Sequence, residues 1–252
     1  MKKLFPIIMC AIGMMASCTN QKNNQGNESV ADILEDGIVL HYDFASAEGN
    51  MVKDLGPNKA DAVLMNGAAV ADGDLVLYNQ DAYLDMTAKA GEVMQKLSDF
   101  SISATYCVDS TVVIEGYGYF LWCFSVLEAN QEKDGPYQAF RLNEQRCETS
   151  IGGWSQETGI QQSQKSEVGK WINVTFRQQA GKGELFLNGE LIGTEEGFPA
   201  LKDIFVNAPA YNWMGRAPFN GDKYLEKTRI TDFRVYDRAI SDEVLKELVA
   251  QK

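Results

Sequence analysis

The chain has 252 residues, 45% of them hydrophobic, and carries 35 acidic against 23 basic side chains, a formal net charge of −12. A balance this acidic argues against nucleic acid or an anionic membrane surface as an electrostatic partner, because both repel a negative protein. A single histidine excludes histidine-rich metal centres and leaves any Ser-His-Asp arrangement dependent on His41 alone.

Met1-Lys2-Lys3 and the apolar run Leu4 to Met15 have the charge and length of a secretory leader, short of the ~20 residues of a membrane span. Met15-Ala16-Ser17-Cys18 sets small residues before a cysteine and resembles a bacterial lipoprotein box, which implies removal of residues 1–17 and acylation of Cys18. Residues 18–30 are rich in Asn, Gln, Ser and Gly and read as a flexible tether. The expected address is extracytoplasmic, lipid-anchored to the cell envelope and facing either the periplasm or the cell surface. Loss of Lys2 and Lys3 takes the formal charge from −12 to −14. Residues 31–252 are too few for two domains of ~150 residues each and contain no repeat, so one domain is expected. Cys107, Cys123 and Cys147 remain in it, an odd number that leaves one disulfide and three buried thiols both open.

Along the domain the hydrophobic period is two. Ile38 to Phe44 opens as a strand, and Leu75 to Tyr78 and Tyr83 to Met86 are short strands bounded by turn formers. Glu92 to Leu97 reads as a short helical turn. Ile102, Ala104, Tyr106 and Val108 alternate with Ser101, Ser103, Thr105 and Cys107, predicting one buried face and one wetter face. Tyr119 to Val126 is almost continuously apolar, as expected of a strand covered on both sides. Ile172, Val174 and Phe176 alternate with polar residues. Asn188-Gly189 joins two short apolar runs and predicts a type I′ hairpin turn. Asp232 to Ile240 reads as a closing strand, and Ser241 caps a terminal helix with Val244, Leu245, Leu248 and Val249 as its apolar stripe. Many short strands and a helix at the end predict an all-β antiparallel sandwich of jelly-roll type with a short C-terminal helix.

In order, the opening strand Leu40-His41-Tyr42-Asp43-Phe44, Lys53 to Asn58, Tyr83-Leu84-Asp85-Met86, Asp99 to Ala104, Gly169-Lys170-Trp171, the Asn188-Gly189 hairpin, Met214-Gly215-Arg216 and the closing strand resemble the laminin-G-like, concanavalin-A-like sandwich family. Similar modules occur in Bacteroidetes lipoproteins and polysaccharide-utilisation proteins. The resemblance implies a scaffold shared by lectins, glycanases and adhesion modules, so activity must be argued from a site. Glycanases of the family carry Glu-x-Asp-x-x-Glu on one strand; here only Glu132-Lys133-Asp134 approaches it, with Tyr137 where the last Glu belongs. No catalytic residues and no cofactor are assigned. Relatives often hold a structural calcium, for which Asp43 and Asp232 would supply hard oxygen ligands.

Glycan recognition needs flat aromatic rings beside hydrogen-bonding groups. Trp154 in Gly152-Gly153-Trp154-Ser155-Gln156 leads the candidates, followed by Tyr137, Tyr211 and Trp213, with Arg141 or Arg216 as donors, whereas Trp122 and Trp171 read as core. The expected function is a carbohydrate-binding, non-catalytic envelope lipoprotein. An envelope scaffold that binds another protein and a glycoside hydrolase with an unrecognised carboxylate pair remain open. Substituting Cys18→Ser is expected to move the protein from the detergent phase to the aqueous phase of a phase-partition assay.

Overall fold

The computed structural model describes residues 29–128 and 135–251. The leader, Cys18, almost all of the tether and Glu132-Lys133-Asp134 lie outside the described residues. In chain order the strands are β1 (Ile38–Tyr42), β2 (Met51–Val52), β3 (Ala62–Met65), β4 (Ala69–Ala71), β5 (Asp74–Leu77), β6 (Tyr83–Asp85), β7 (Phe100–Val108) and β8 (Phe120–Ser125). They continue with β9 (Tyr137–Arg141), β10 (Arg146–Ser150), β11 (Glu157–Ile160), β12 (Trp171–Gln179), β13 (Lys182–Leu187), β14 (Glu190–Glu196), β15 (Tyr211–Met214) and β16 (Thr228–Tyr236). Four helices accompany them: α1 (Val30–Glu35), α2 (Thr87–Met94), α3 (Leu201–Ile204) and α4 (Asp242–Ala250). Among the described residues no helix is long and apolar enough to cross a membrane.

Two eight-stranded antiparallel sheets face each other. The first runs β14-β13-β12-β7-β16-β5-β4, with β1 and β5 sharing one side of β16 at its two ends. The second runs β11-β10-β9-β8-β15-β6-β3-β2. Inward alternation supplies the core: Tyr42, Ile102, Phe176 and Phe233 meet Trp122, Phe124, Phe140 and Met214. Trp122 stacks on Phe140 at 5.1 Å and meets Phe233 edge-on at 6.1 Å. Its indole N–H donates to Gln138 at 2.9 Å, satisfying a buried donor.

The predicted hairpin is present, with φ of 48° at Asn188 and 80° at Gly189, and Leu187 pairs with Glu190. Ser241 caps α4 by accepting from the Val244 N–H at 3.2 Å. Leu245 and Leu248 bury against Phe186, Tyr236 and Leu34 of α1, covering part of the first sheet's outer face. This cover corrects the wetter face expected on β7. Ser101, Ser103 and Thr105 are all buried, and they stay polar because each is bonded: Ser101 to Arg238 and Ile240 backbone, and Ser103 and Thr105 to the Asn173 amide. Cys123 and Cys147 are buried thiols rather than a disulfide, and Cys107 is half-buried. Trp122 is core as expected, whereas Trp171, at the start of β12, is 36% exposed.

The helical turn expected at Glu92 begins earlier, as α2, because its buried side (Ala90, Gly91, Val93, Met94) seats on β15. A Cβ on Gly91 would lie 1.9 Å from the Pro209 carbonyl oxygen. Gly91→Ala is therefore expected to destabilise the fold by about 2 kcal/mol or more, measured as a lower urea midpoint with an unchanged slope.

Candidate functional site

The outer face of the second sheet carries the site. Register aligns Val63, Asp85, Trp213, Cys123, Ala139, Glu148 and Gly159 in one row across its strands. Cys123 and Ala139 are small, so the middle of the row is a trough between bulky Trp213 and charged Glu148. The segment from Gly215 to Leu225 folds down into that trough. Its base is closed by the Leu225 N–H on the Gly215 carbonyl at 2.8 Å, and it is pinned by Lys223, which exchanges backbone bonds with Tyr117 and Tyr119 at 3.1 and 2.7 Å. Gly118, between those tyrosines, permits the approach: its φ is 109° and a Cβ would lie 2.3 Å from the Lys223 oxygen.

Arg216 starts the segment with its guanidinium 4.3 Å from the Trp213 ring, 4.6 Å from Tyr83 and 5.6 Å from Tyr224. Such stacks hold a cation against ring faces. Further along, Phe219 inserts among Phe120, Tyr137 and Trp154, at 6.2, 5.3 and 6.0 Å between ring centroids.

Beside Phe219 opens a cavity of about 420 Å³ lined by Tyr117, Gly118, Phe120, Arg141, Glu148, Trp154, Glu157, Phe219, Asn220 and Asp222. Glu148 is 1% exposed and sits between two arginines, with Arg146 Nε at 2.5 Å and Arg141 Nε at 3.3 Å. Arg146 also reaches Glu157 at 2.9 Å, and Arg141 reaches Glu144 at 2.8 Å. The Tyr137 hydroxyl donates to the remaining oxygen of Glu157. Burial pushes the Glu148 carboxyl up to about 7, against the pull of Arg141 and Arg146. Burial also raises the Tyr137 phenol far above its ordinary value, with Glu148 and Glu157 adding to the shift. Asp222 differs from the others. Its carboxylate makes no hydrogen bond or ion pair among the described residues, and burial lifts it to about 6, with Arg141 opposing.

Of the aromatic candidates, Trp154 stands at the pocket wall, 56% exposed. Arg141 lines the same pocket. Tyr137, a candidate to stack on a sugar, is instead fully buried on β9, with Phe219 against it edge-on. Trp213 is 4% exposed beneath Arg216, so both belong to the clamp at the far end of the row and not to the cavity. Tyr211 is half-buried, tilted against Trp213 at 5.4 Å. His41, the single histidine, places Nε2 3.1 Å from Asp232. Asp232 is also held by Arg234 at 3.0 Å, and among the described residues no cluster of three or more His, Cys, Asp or Glu side chains is arranged to hold a metal ion.

Glu148, Glu157, Phe219, Asp222 and Tyr117 were not singled out from sequence. Arg141, Arg146 and Glu148 do carry a signal there, since opposite charges at alternate positions of two adjacent strands mark a shared polar face. Asn220-Gly221-Asp222 reads only as a turn.

The model of the concanavalin A-like lectin/glucanase superfamily matches residues 81–246. Among solved structures, the receptor-binding domain of botulinum neurotoxin C/D mosaic serotype superposes with a TM-score of 0.61 at 14% identity, covering 86% of this chain and 52% of that one. Trypanosoma rangeli sialidase in complex with sialic acid superposes with a TM-score of 0.57 at 15% identity, covering 85% of this chain and 33% of that one. The chain thus spans about half or less of the length of these structures, and at such identities they share a fold. A comparison with curated proteins finds no match. Matched over most of its sandwich, the chain belongs to the concanavalin A-like lectin/glucanase superfamily.

Proposed function

We propose that the chain is an extracytoplasmic, lipid-anchored carbohydrate-binding protein that takes a glycan into the pocket between Trp154 and the Gly215–Leu225 segment. The anchor is Cys18, and the reading of its leader rests on the sequence alone. The observation that carries the binding reading is the pocket's composition. Exposed aromatic rings, Trp154 and Tyr117, flank a cavity that also presents Arg141, Glu148, Glu157, Asn220 and Asp222. Flat rings pack against the C–H faces of a pyranose, and carboxylate, amide and guanidinium groups bond its hydroxyls. The cavity volume lies in the range of small-ligand sites.

The ionic network makes this floor rigid. With Glu148 held by two arginines, its geometry is fixed before any ligand arrives, which lowers the ordering cost of binding. The same pairing engages both Glu148 oxygens with guanidinium groups, so the carboxyl is occupied by the protein's own donors.

Two aromatic substitutions are expected to separate. Trp154→Ala should weaken polysaccharide binding at least about tenfold in affinity electrophoresis with little change in the melting temperature, because the ring is already exposed. Trp213→Ala should instead cost about 3–5 kcal/mol of stability, read by urea unfolding, since it removes a buried ring and the seat of Arg216.

Asp222 offers a test by pH. Its folded value of about 6 stands above the ordinary 3.8, so protonation favours the folded state; the penalty is full above about pH 6 and gone below about pH 3.8. Asp222→Asn is therefore expected to raise stability by ~1 kcal/mol near pH 7.5 once solvent at the pocket mouth is allowed for, about 2–4 °C in melting temperature, and to give no gain near pH 3.5.

A further inference from the structure

The charges around the pocket do not cancel. Among the described residues, Glu144, Glu148 and Glu157 pair with Arg141 and Arg146, Asp222 adds a fourth acidic group, and each arginine is already engaged by two carboxylates. An anionic sugar would meet an excess of negative charge and two cations whose partners it would have to displace. Among the described residues, Asp222 is the one carboxylate of the set without a donor, although it is partly buried at the pocket wall. A partly desolvated carboxylate without a protein donor gains when a donor reaches it, and a charged donor compensates it more fully than a hydroxyl does. The same lining includes the rings of Trp154, Phe219 and Tyr117, and an aromatic face attracts an ammonium group and not an anion.

We propose that the pocket selects a glycan bearing an unacetylated amino sugar, whose ammonium group pairs with Asp222 beside the Trp154 and Phe219 rings while Trp154 stacks on the pyranose. This inference rests on the glycan-binding reading and narrows it to one substrate class. It accounts for an otherwise costly residue: the protein tolerates an unpaired carboxylate where the ligand supplies its partner. The overall acidity of the chain adds long-range attraction for the same ligands, but that attraction is nonspecific and falls with salt.

The test compares three β-1,4-linked trisaccharides that differ at carbon 2: the glucosamine trimer, its fully N-acetylated form and cellotriose, titrated calorimetrically at neutral pH in about 150 mM salt. The proposal expects the amine to bind at least about tenfold more tightly than the other two. Asp222→Asn should abolish that preference while leaving residual binding, and Glu195→Gln, which removes the same charge from exposed β14, should leave it intact. Equal binding of cellotriose or the acetylated trimer overturns the amine inference and leaves the glycan reading standing. A preference that survives in Asp222→Asn, or falls equally in Glu195→Gln, overturns it as well, as nonspecific attraction. Absence of binding by the amine trimer overturns the inference, and absence of Trp154-dependent binding across a wider glycan panel overturns the glycan reading separately.

Discussion

A carboxylate with 1% of its surface exposed, Glu148, sets the terms for one whole face of this molecule. Burying an ion costs several kcal/mol unless partners replace its water, and here the partners are fixed by strand register. Arg146 lies two residues away on β10, and Arg141 is the cross-strand partner of Arg146 on β9. The two guanidinium groups in turn recruit Glu144 and Glu157, and Glu157 takes the Tyr137 hydroxyl. Loss of one member strands the next, so the set behaves as a unit.

Most antiparallel sandwiches bury one face of each sheet and leave the other wet. In the second sheet the outer face is covered as well. The small residues Cys123 and Ala139 leave a trough, Phe219 fills its centre, and Arg216 locks the near end onto Trp213 and Tyr83. The cavity lies between Phe219, Asn220 and Asp222 of the covering segment and the side chains of Trp154 and Tyr117. Fold and pocket are thus one construction: the alternation that fills the core on the inside positions the ionic floor on the outside.

Local patterns were legible in the sequence. The Asn188-Gly189 turn, the Ser241 cap and the doubly buried β8 each follow from a few adjacent residues, and all appear in the structure. The closing strand was legible for the same reason. What alternation did not convey was long-range cover. Tyr137 sits between Gly135-Pro136 and a polar Gln138, which reads as a loop; it is buried because Phe219, far along the chain, lies across it. Trp213 looked like an exposed ring for the same reason, its lid being the guanidinium of Arg216. Ser103 and Thr105 looked wet because polarity alone does not reveal that Asn173 satisfies them. Asp222 carried no signal, since what sets it apart is the lack of a partner in three dimensions.

The central claim is that ligand enters on the outer face of the second sheet beside Trp154. Indole N–H resonances of the four tryptophans report on it directly, because Trp122 lies in the core, Trp213 under the Arg216 clamp and Trp171 on the other sheet. Titration of a bound oligosaccharide into nitrogen-15-labelled protein is predicted to shift the Trp154 indole resonance while leaving those of Trp122 and Trp171 in place. Movement of Trp171 with Trp154 unchanged would contradict the account.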